Sequence, residues 1–154
     1  MPTKNKPRKT RRRSRVAVQR NAAAAPSIAL LRRFALAALQ ASAPARAAIT
    51  LRVAGAAEAR RLNEKFRGRT YATNVLAFPY SRGSGDIVLC HPVIAKEARE
   101  QGKTLRAHYA HLVVHGILHL RGHDHMQKSD AMRMERMEIR ILRRLGFGDP
   151  YTVK

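Results

Sequence analysis

Six of the seven histidines in this chain lie between His108 and His125, and the run His115-Gly116-Ile117-Leu118-His119-Leu120-Arg121-Gly122-His123-Asp124-His125 holds four of them. On a helix, residues four apart lie one above the other, so His115 and His119 offer two imidazoles to one point. Gly122 is a natural helix stop, after which the chain can turn back and bring His125 in as a third nitrogen. Three neutral imidazoles with a water in the remaining position describe an open, catalytic zinc site better than a closed structural one. The expectation is therefore one Zn2+ held by His115, His119 and His125.

A lone histidine is more often packing than ligand, but the four-residue spacing, the glycine stop and the third histidine reverse that preference. His108 and His111 continue the same helical stripe away from the site and are expected to pack or to support the ligands. His91 is unrelated to the metal. Asp124 either orients a ligand imidazole through its second nitrogen or caps a turn. His123 is a proton shuttle or a fourth ligand; in an extended chain it and His125 face opposite ways, which favours a role other than ligation.

Gly116 narrows the chemistry. A glycine inside a helix costs roughly 1 kcal/mol relative to alanine, so it implies close approach by another backbone or by substrate. It also stands where an H-E-x-x-H metallopeptidase carries its glutamate base. A metal offsets that loss by lowering the pKa of bound water to about 7. Cleaving a phosphodiester further requires positive charge for the transition state. Arg67, after a helix and before the Gly68-Arg69 loop, is the best placed arginine by sequence context, among many that are ordinary surface charge.

Charge supplies the substrate class. The formal net charge is +21 over 154 residues, and no acid precedes Glu58. Such an excess points to a polyanion, nucleic acid or an anionic membrane. No run of about 18 apolar residues exists, so no membrane span is expected. With no tryptophan and few aromatics, a base-stacking platform is not expected; recognition should rest on phosphates and shape, and weaken steeply with salt. The lone Cys90 excludes a disulfide framework and fits a reducing, cytoplasmic setting, as a small buried strand residue.

Residues 1–15 carry eight Lys and Arg with nothing apolar to bury, and are expected to form a disordered basic arm rather than a transit peptide. Residues 16–154 then form one α/β (α+β) domain. Alternating or apolar runs predict strands at 15–19, 47–53, 74–78 and 86–90, the last two separated by Pro79 and the Gly83-Ser84-Gly85 turn. Ser27 caps a helix to about Gln40 with Ile28, Leu31, Ala35 and Leu39 on one side, and a second helix covers 56–66. Pro92 opens a helix to Gln101, ended by Gly102; Thr104 caps the histidine helix, buried against the sheet. Ser129 and Asp130 start a last helix, with a core stripe of Met134, Met137, Ile141 and Leu145, that Gly146 closes.

With these residues in view, the chain resembles the YbeY family of metal-dependent endoribonucleases and ribosomal RNA maturation factors. The H-G-x-L-H-L-x-G-x-D-H pattern at His115 to His125 carries the resemblance. Leu62-Asn63, Phe66-Arg67-Gly68, Thr73 to Pro79, Gly85-Asp86-Ile87, Leu145-Gly146 and Asp149-Pro150-Tyr151 support it over roughly residues 27 to 151. His123 stands where the family usually has tyrosine, Ala77 where it has serine, and Ala72 where it often has proline. The resemblance implies a compact α/β fold with a four-stranded sheet and about five helices. It also implies zinc on His115, His119 and His125, a functional Arg67, and single-strand-specific cleavage in 16S rRNA 3′ end maturation, ribosome biogenesis and quality control. RNA, as a precursor in the ribosomal small subunit, is then the partner. Two other readings share the helix-borne histidines: a zinc metallopeptidase-like hydrolase, disfavoured by Gly116, and a non-catalytic, zinc-stabilised ribosome-binding protein.

Overall fold

A computed structural model describes residues 14–42, 46–68, 73–81, 83–122 and 128–152, the side chain of Arg67 excepted. Nine elements follow one another: β1 (Arg15–Arg20), α1 (Ile28–Ala41), β2 (Ala48–Ala54), α2 (Ala56–Arg67), β3 (Val75–Ser81), β4 (Ser84–Cys90), α3 (His91–Glu100), α4 (Leu105–Leu120) and α5 (Lys128–Arg144). The strands form one sheet in the order β1-β2-β4-β3, with β1, β2 and β4 parallel and β3 antiparallel to β4. Arg15 already belongs to β1, so the folded part begins before residue 16; the rest of the expected basic arm lies outside the described residues.

Alternation along the strands sorts the two faces of the sheet. Ile49, Leu51 and Val53 of β2 and Ile87 and Leu89 of β4 are fully or almost fully buried, and join Leu31, Phe34, Val113, Ile117 and Ile141 in one core with α1, α4 and α5. On the other face a small cluster of Ala54, Leu76 and Val88 sits beside Leu62 of α2 and Phe78 of β3. The first face is covered by helices and the second only in part. Ile28, expected on the core side of α1, is exposed at the first position of that helix.

Local chemistry accounts for most boundaries. Ser27 and Thr104 each accept a hydrogen bond from the backbone three residues on, capping α1 and α4. Gly68 takes a left-handed conformation (φ 66°) that ends α2 and turns its N–H onto the carbonyls of Asn63 and Glu64. Pro79 does not separate the strands as expected: it lies inside β3, which the edge position permits because a missing donor there breaks no interior ladder. The hairpin register shifts between Pro79 and Ser81. Ser129 falls inside α5, which starts at Lys128, so it is not the cap.

Helix α4 is buried on nearly every side beyond its first turn; from His108 to Leu120 only His119 is exposed, with His111 and His115 half-buried. It lies between the sheet and α5, with α1 and α3 alongside. That central position explains a sequence apolar all round the helix, and it places the histidine stripe in the one direction that is not hydrocarbon.

Candidate metal centre

His115 and His119 sit one turn apart on α4, their rings nearly parallel (11°) with centroids 6.4 Å apart. His111 lies one turn earlier, 6.2 Å from His115 and roughly edge-on to it. The stripe runs from a buried end at His108 to an exposed end at His119. The expected pairing of His115 with His119 is therefore present in the fold. The third expected ligand, His125, lies outside the described residues, as do His123 and Asp124.

A carboxylate from α5 stands behind the stripe. Glu138 has no exposed surface, and its Oε1 lies 2.6 Å from Nδ1 of His115 while its Oε2 lies 3.0 Å from Nε2 of His111. The hydroxyl of Tyr151 donates to the same Oε2 and lies 3.2 Å from His111 Nε2. Burial by itself would raise the Glu138 pKa, but hydrogen bonds from His111, His115 and Tyr151 overcome it and bring the value down to about 2. The carboxylate is thus ionised and accepts from every neighbour. Burial and the adjacent carboxylate push the Tyr151 phenol well above its ordinary range, so it keeps its proton.

An ionised acceptor fixes where hydrogen must sit. His115 carries hydrogen on Nδ1, so Nε2 is the nitrogen it can offer to a metal. His111 carries hydrogen on Nε2, and its Nδ1 is buried with no hydrogen-bond partner. His111, His115 and Glu138 also form a group whose ligand atoms all lie within 4.8 Å of one another. Two ligands of one zinc ion in tetrahedral geometry stand about 3.3 Å apart. The 2.6 Å separation of His115 Nδ1 and Glu138 Oε1 is a charge-assisted hydrogen bond instead. The chemistry of these donors suits a divalent metal, with Glu138 as the oxygen that holds the His115 imidazole in place.

Arg67 is the last residue of α2, where Gly68 terminates the helix. Gly116 does mark a close approach, but by a side chain of the sheet. A Cβ there would meet Ile87 Cδ1 at 3.1 Å and Cγ2 at 3.3 Å, so neither substrate nor another backbone is the neighbour. A glutamate at 116 would enter the core rather than the site. His108 gives Nε2 to Glu97 Oε1 at 3.1 Å, the same oxygen that Asn74 Nδ2 reaches at 3.1 Å, so it ties α3, α4 and the start of β3 together. His91 Nδ1 meets Tyr109 OH at 2.6 Å, away from the stripe.

Sequence reasoning missed Glu138 and the contact of Tyr151 with it. The signal was present: position 138 lies one turn from Met134 on the apolar side of α5, and an acid there is either a fault in the core or a buried partner. Helix spacing within α4 alone could not reveal it, because the partner arrives from another element.

A histidine-bearing helix laid under a mixed sheet, with a carboxylate buried behind it, defines an α/β protein with a site able to take a divalent metal. The chain belongs to the YbeY family: the family model described as Endoribonuclease YbeY matches residues 15–146. The Endoribonuclease YbeY of Aromatoleum aromaticum is 53% identical over 135 residues, covering 86% of this chain and 85% of that one. The Endoribonuclease YbeY of Bordetella pertussis is 56% identical over 110 residues, covering 68% and 70%. The solution structure of TM1509 from Thermotoga maritima shares the fold, with a TM-score of 0.59 at 24% identity over 89% of this chain and 99% of that one.

Proposed function

We propose that this protein is a zinc-dependent, single-strand-specific endoribonuclease acting in 16S rRNA 3′ end maturation, in the cytoplasm and on the small ribosomal subunit. One observation carries the reading: the buried, ionised Glu138 engages Nδ1 of His115, which reserves Nε2 for a metal, beside a parallel His119. Family membership and the +21 charge support RNA as the substrate.

In this reading His115, His119 and His125 hold one Zn2+, which when bound supplies Lewis acidity and a water acidified toward neutral pH. The chain's own residues do the remaining work. Glu138 keeps His115 in the ligating tautomer, and His111 and Tyr151 keep Glu138 ionised. Arg67 presents fixed positive charge to the phosphate under attack, which gains negative charge in the transition state. His123 and Asp124 take supporting roles rather than ligation, and the basic residues of 1–15 add phosphate contacts. Gly116, packed on Ile87, leaves no room for a metallopeptidase's glutamate.

The full chain, loaded with zinc, is expected to cut single-stranded RNA and to leave casein intact. His115→Ala and Arg67→Ala should each abolish the cutting. Undiminished cleavage by both variants would assign the activity to a contaminant and sink the proposal. Mapping rRNA ends in cells with and without the protein tests the substrate.

A further inference from the structure

The sheet face turned away from α4 carries a groove of about 680 Å3 that the metal site does not use. It lies over β1, β2, β4 and β3, and α2 covers only one side of it. Its floor includes Thr50, Arg52 and Val88, and three of the chain's eight Phe and Tyr residues, Phe66, Phe78 and Tyr80, stand around it. Phe66 is 57% and Tyr80 67% exposed, which burial for stability would not produce.

The polar groups are built to present flat surfaces. Glu58 holds the Arg52 guanidinium with both carboxylate oxygens, and Gln19 Oε1 accepts from Arg52 Nη1 at 3.1 Å. The guanidinium is therefore fixed along its edges, and its plane remains available for stacking. Phe66 packs edge-on against Phe78, centroids 5.2 Å apart, and Lys65 Nζ lies 5.3 Å from the Phe66 ring centre. Tyr80 donates to Asp86.

Charge decides what fits. Among the lining residues Arg52 is offset by Glu58, and Asp86 adds a second acid, so the groove lacks the cationic excess of a chain of net +21. Lys65 lies against Phe66. Flat, uncharged groups bearing amines, attached to a phosphate chain held outside, match this pattern; those are unpaired nucleobases. Helix α4, which carries the histidine stripe, packs on β4 and on the edge strand β3. Phe78 and Tyr80 of that same strand face the groove.

We propose that this groove binds unpaired bases of single-stranded RNA by stacking on Phe66, Tyr80 and the pinned Arg52, with the strand crossing the β3 edge to the histidine site. This rests on the endoribonuclease reading and deepens it, since it makes the preference for single strands a property of the sheet face rather than of the metal. It also revises the expectation from composition, because few aromatics suffice when three share one groove.

The test is binding of a fluorescent single-stranded 2′-O-methyl RNA, which resists cleavage, to the full zinc-loaded chain. Phe66→Ala and Tyr80→Ala should each weaken binding by about fivefold to a hundredfold. The slope of log affinity against log salt should stay unchanged, since no phosphate contact is lost. Tyr80→Phe should bind as the parent, and a duplex of the same sequence should not distinguish any of the variants. Parent-like binding by both alanine variants overturns the inference, and so does an equal loss on duplex, or an unchanged RNA affinity with loss of a ribosomal protein partner. If the parent chain cuts RNA while those variants bind normally, only the groove assignment fails; if the parent neither binds nor cuts RNA, the endoribonuclease reading fails and the groove assignment with it.

Discussion

Replacing Glu138 by glutamine tests the metal centre most directly, because it preserves shape and removes only the ability to accept on both sides. Glu138 is fully buried and takes three hydrogen bonds, two at Oε2 and one at Oε1. An amide offers one acceptor oxygen and one donor nitrogen. If the oxygen stays with His111 and Tyr151, the amide NH2 faces His115 Nδ1, and the ring must move its hydrogen to Nε2, the nitrogen meant for the metal. If the oxygen turns to His115, the NH2 meets two donors. Either arrangement loses one or two charge-assisted hydrogen bonds worth roughly 1.5–3 kcal/mol each, partly recovered because no buried charge remains. A net loss of about 2 kcal/mol would lower the thermal midpoint of the metal-free protein by about 4–8 °C. Zinc affinity should fall about 10- to 100-fold, the usual cost of removing a carboxylate that orients a ligand histidine. Competition with a chromogenic chelator reads the affinity, and the absorption of the cobalt-substituted protein reads the ligand set. Wild-type zinc affinity in Glu138→Gln would refute the anchoring argument. A changed cobalt spectrum with a far larger loss would make Glu138 a ligand itself.

Three further outcomes follow from geometry already given. Gly116→Ala places a Cβ 3.1 Å from Ile87 Cδ1; the crowding and the roughly 1 kcal/mol helix gain should nearly cancel in urea unfolding, whereas Gly116→Glu should cost more than about 3 kcal/mol by driving a carboxylate into the core. Gly85→Ala should destabilise by about 2–4 kcal/mol in the same assay, because its Cβ would meet the Phe78 carbonyl oxygen and the Pro79 Cα, backbone atoms of the paired strand that cannot yield. Burial lowers the His108 pKa, against the opposing pull of Glu97. A histidine depressed in the folded state stabilises fully above its unfolded value near 6.5, so unfolding free energy should fall as pH drops below 6.5, by at most about 1.4 kcal/mol per unit from this residue; a His108→Gln chain with an unchanged slope between pH 7 and 5 would contradict this.

Most of the fold was legible because its signals are local. The four strands, the Ser27 and Thr104 caps and the Gly102, Gly122 and Gly146 stops each depend on a few adjacent residues, and each expected element exists. Departures arose where tertiary position overrides local chemistry. Pro79 reads as a strand breaker but is tolerated on an edge, a placement set by strand order. Ile28 and Phe66 fit apolar stripes yet are exposed, the first at the start of its helix and the second bordering an open groove. The His115 and His119 pair was readable from spacing on one helix. Glu138 was not, because its meeting with them depends on α5 packing against α4, 23 positions away from His115.

The energetics say why an acid stands at that place. Removing a carboxylate from water costs several kcal/mol, and three good hydrogen bonds do little more than offset it. A leucine or methionine at 138, continuing the stripe of Met134, Ile141 and Leu142, would make a core at least as stable. It would also remove the acceptor that Glu138 offers to both His111 and His115. The gain from Glu138 therefore lies in direction rather than stability: an ionised oxygen in a closed space requires hydrogen on Nδ1 of His115, and so reserves the other ring nitrogen, Nε2, for a metal.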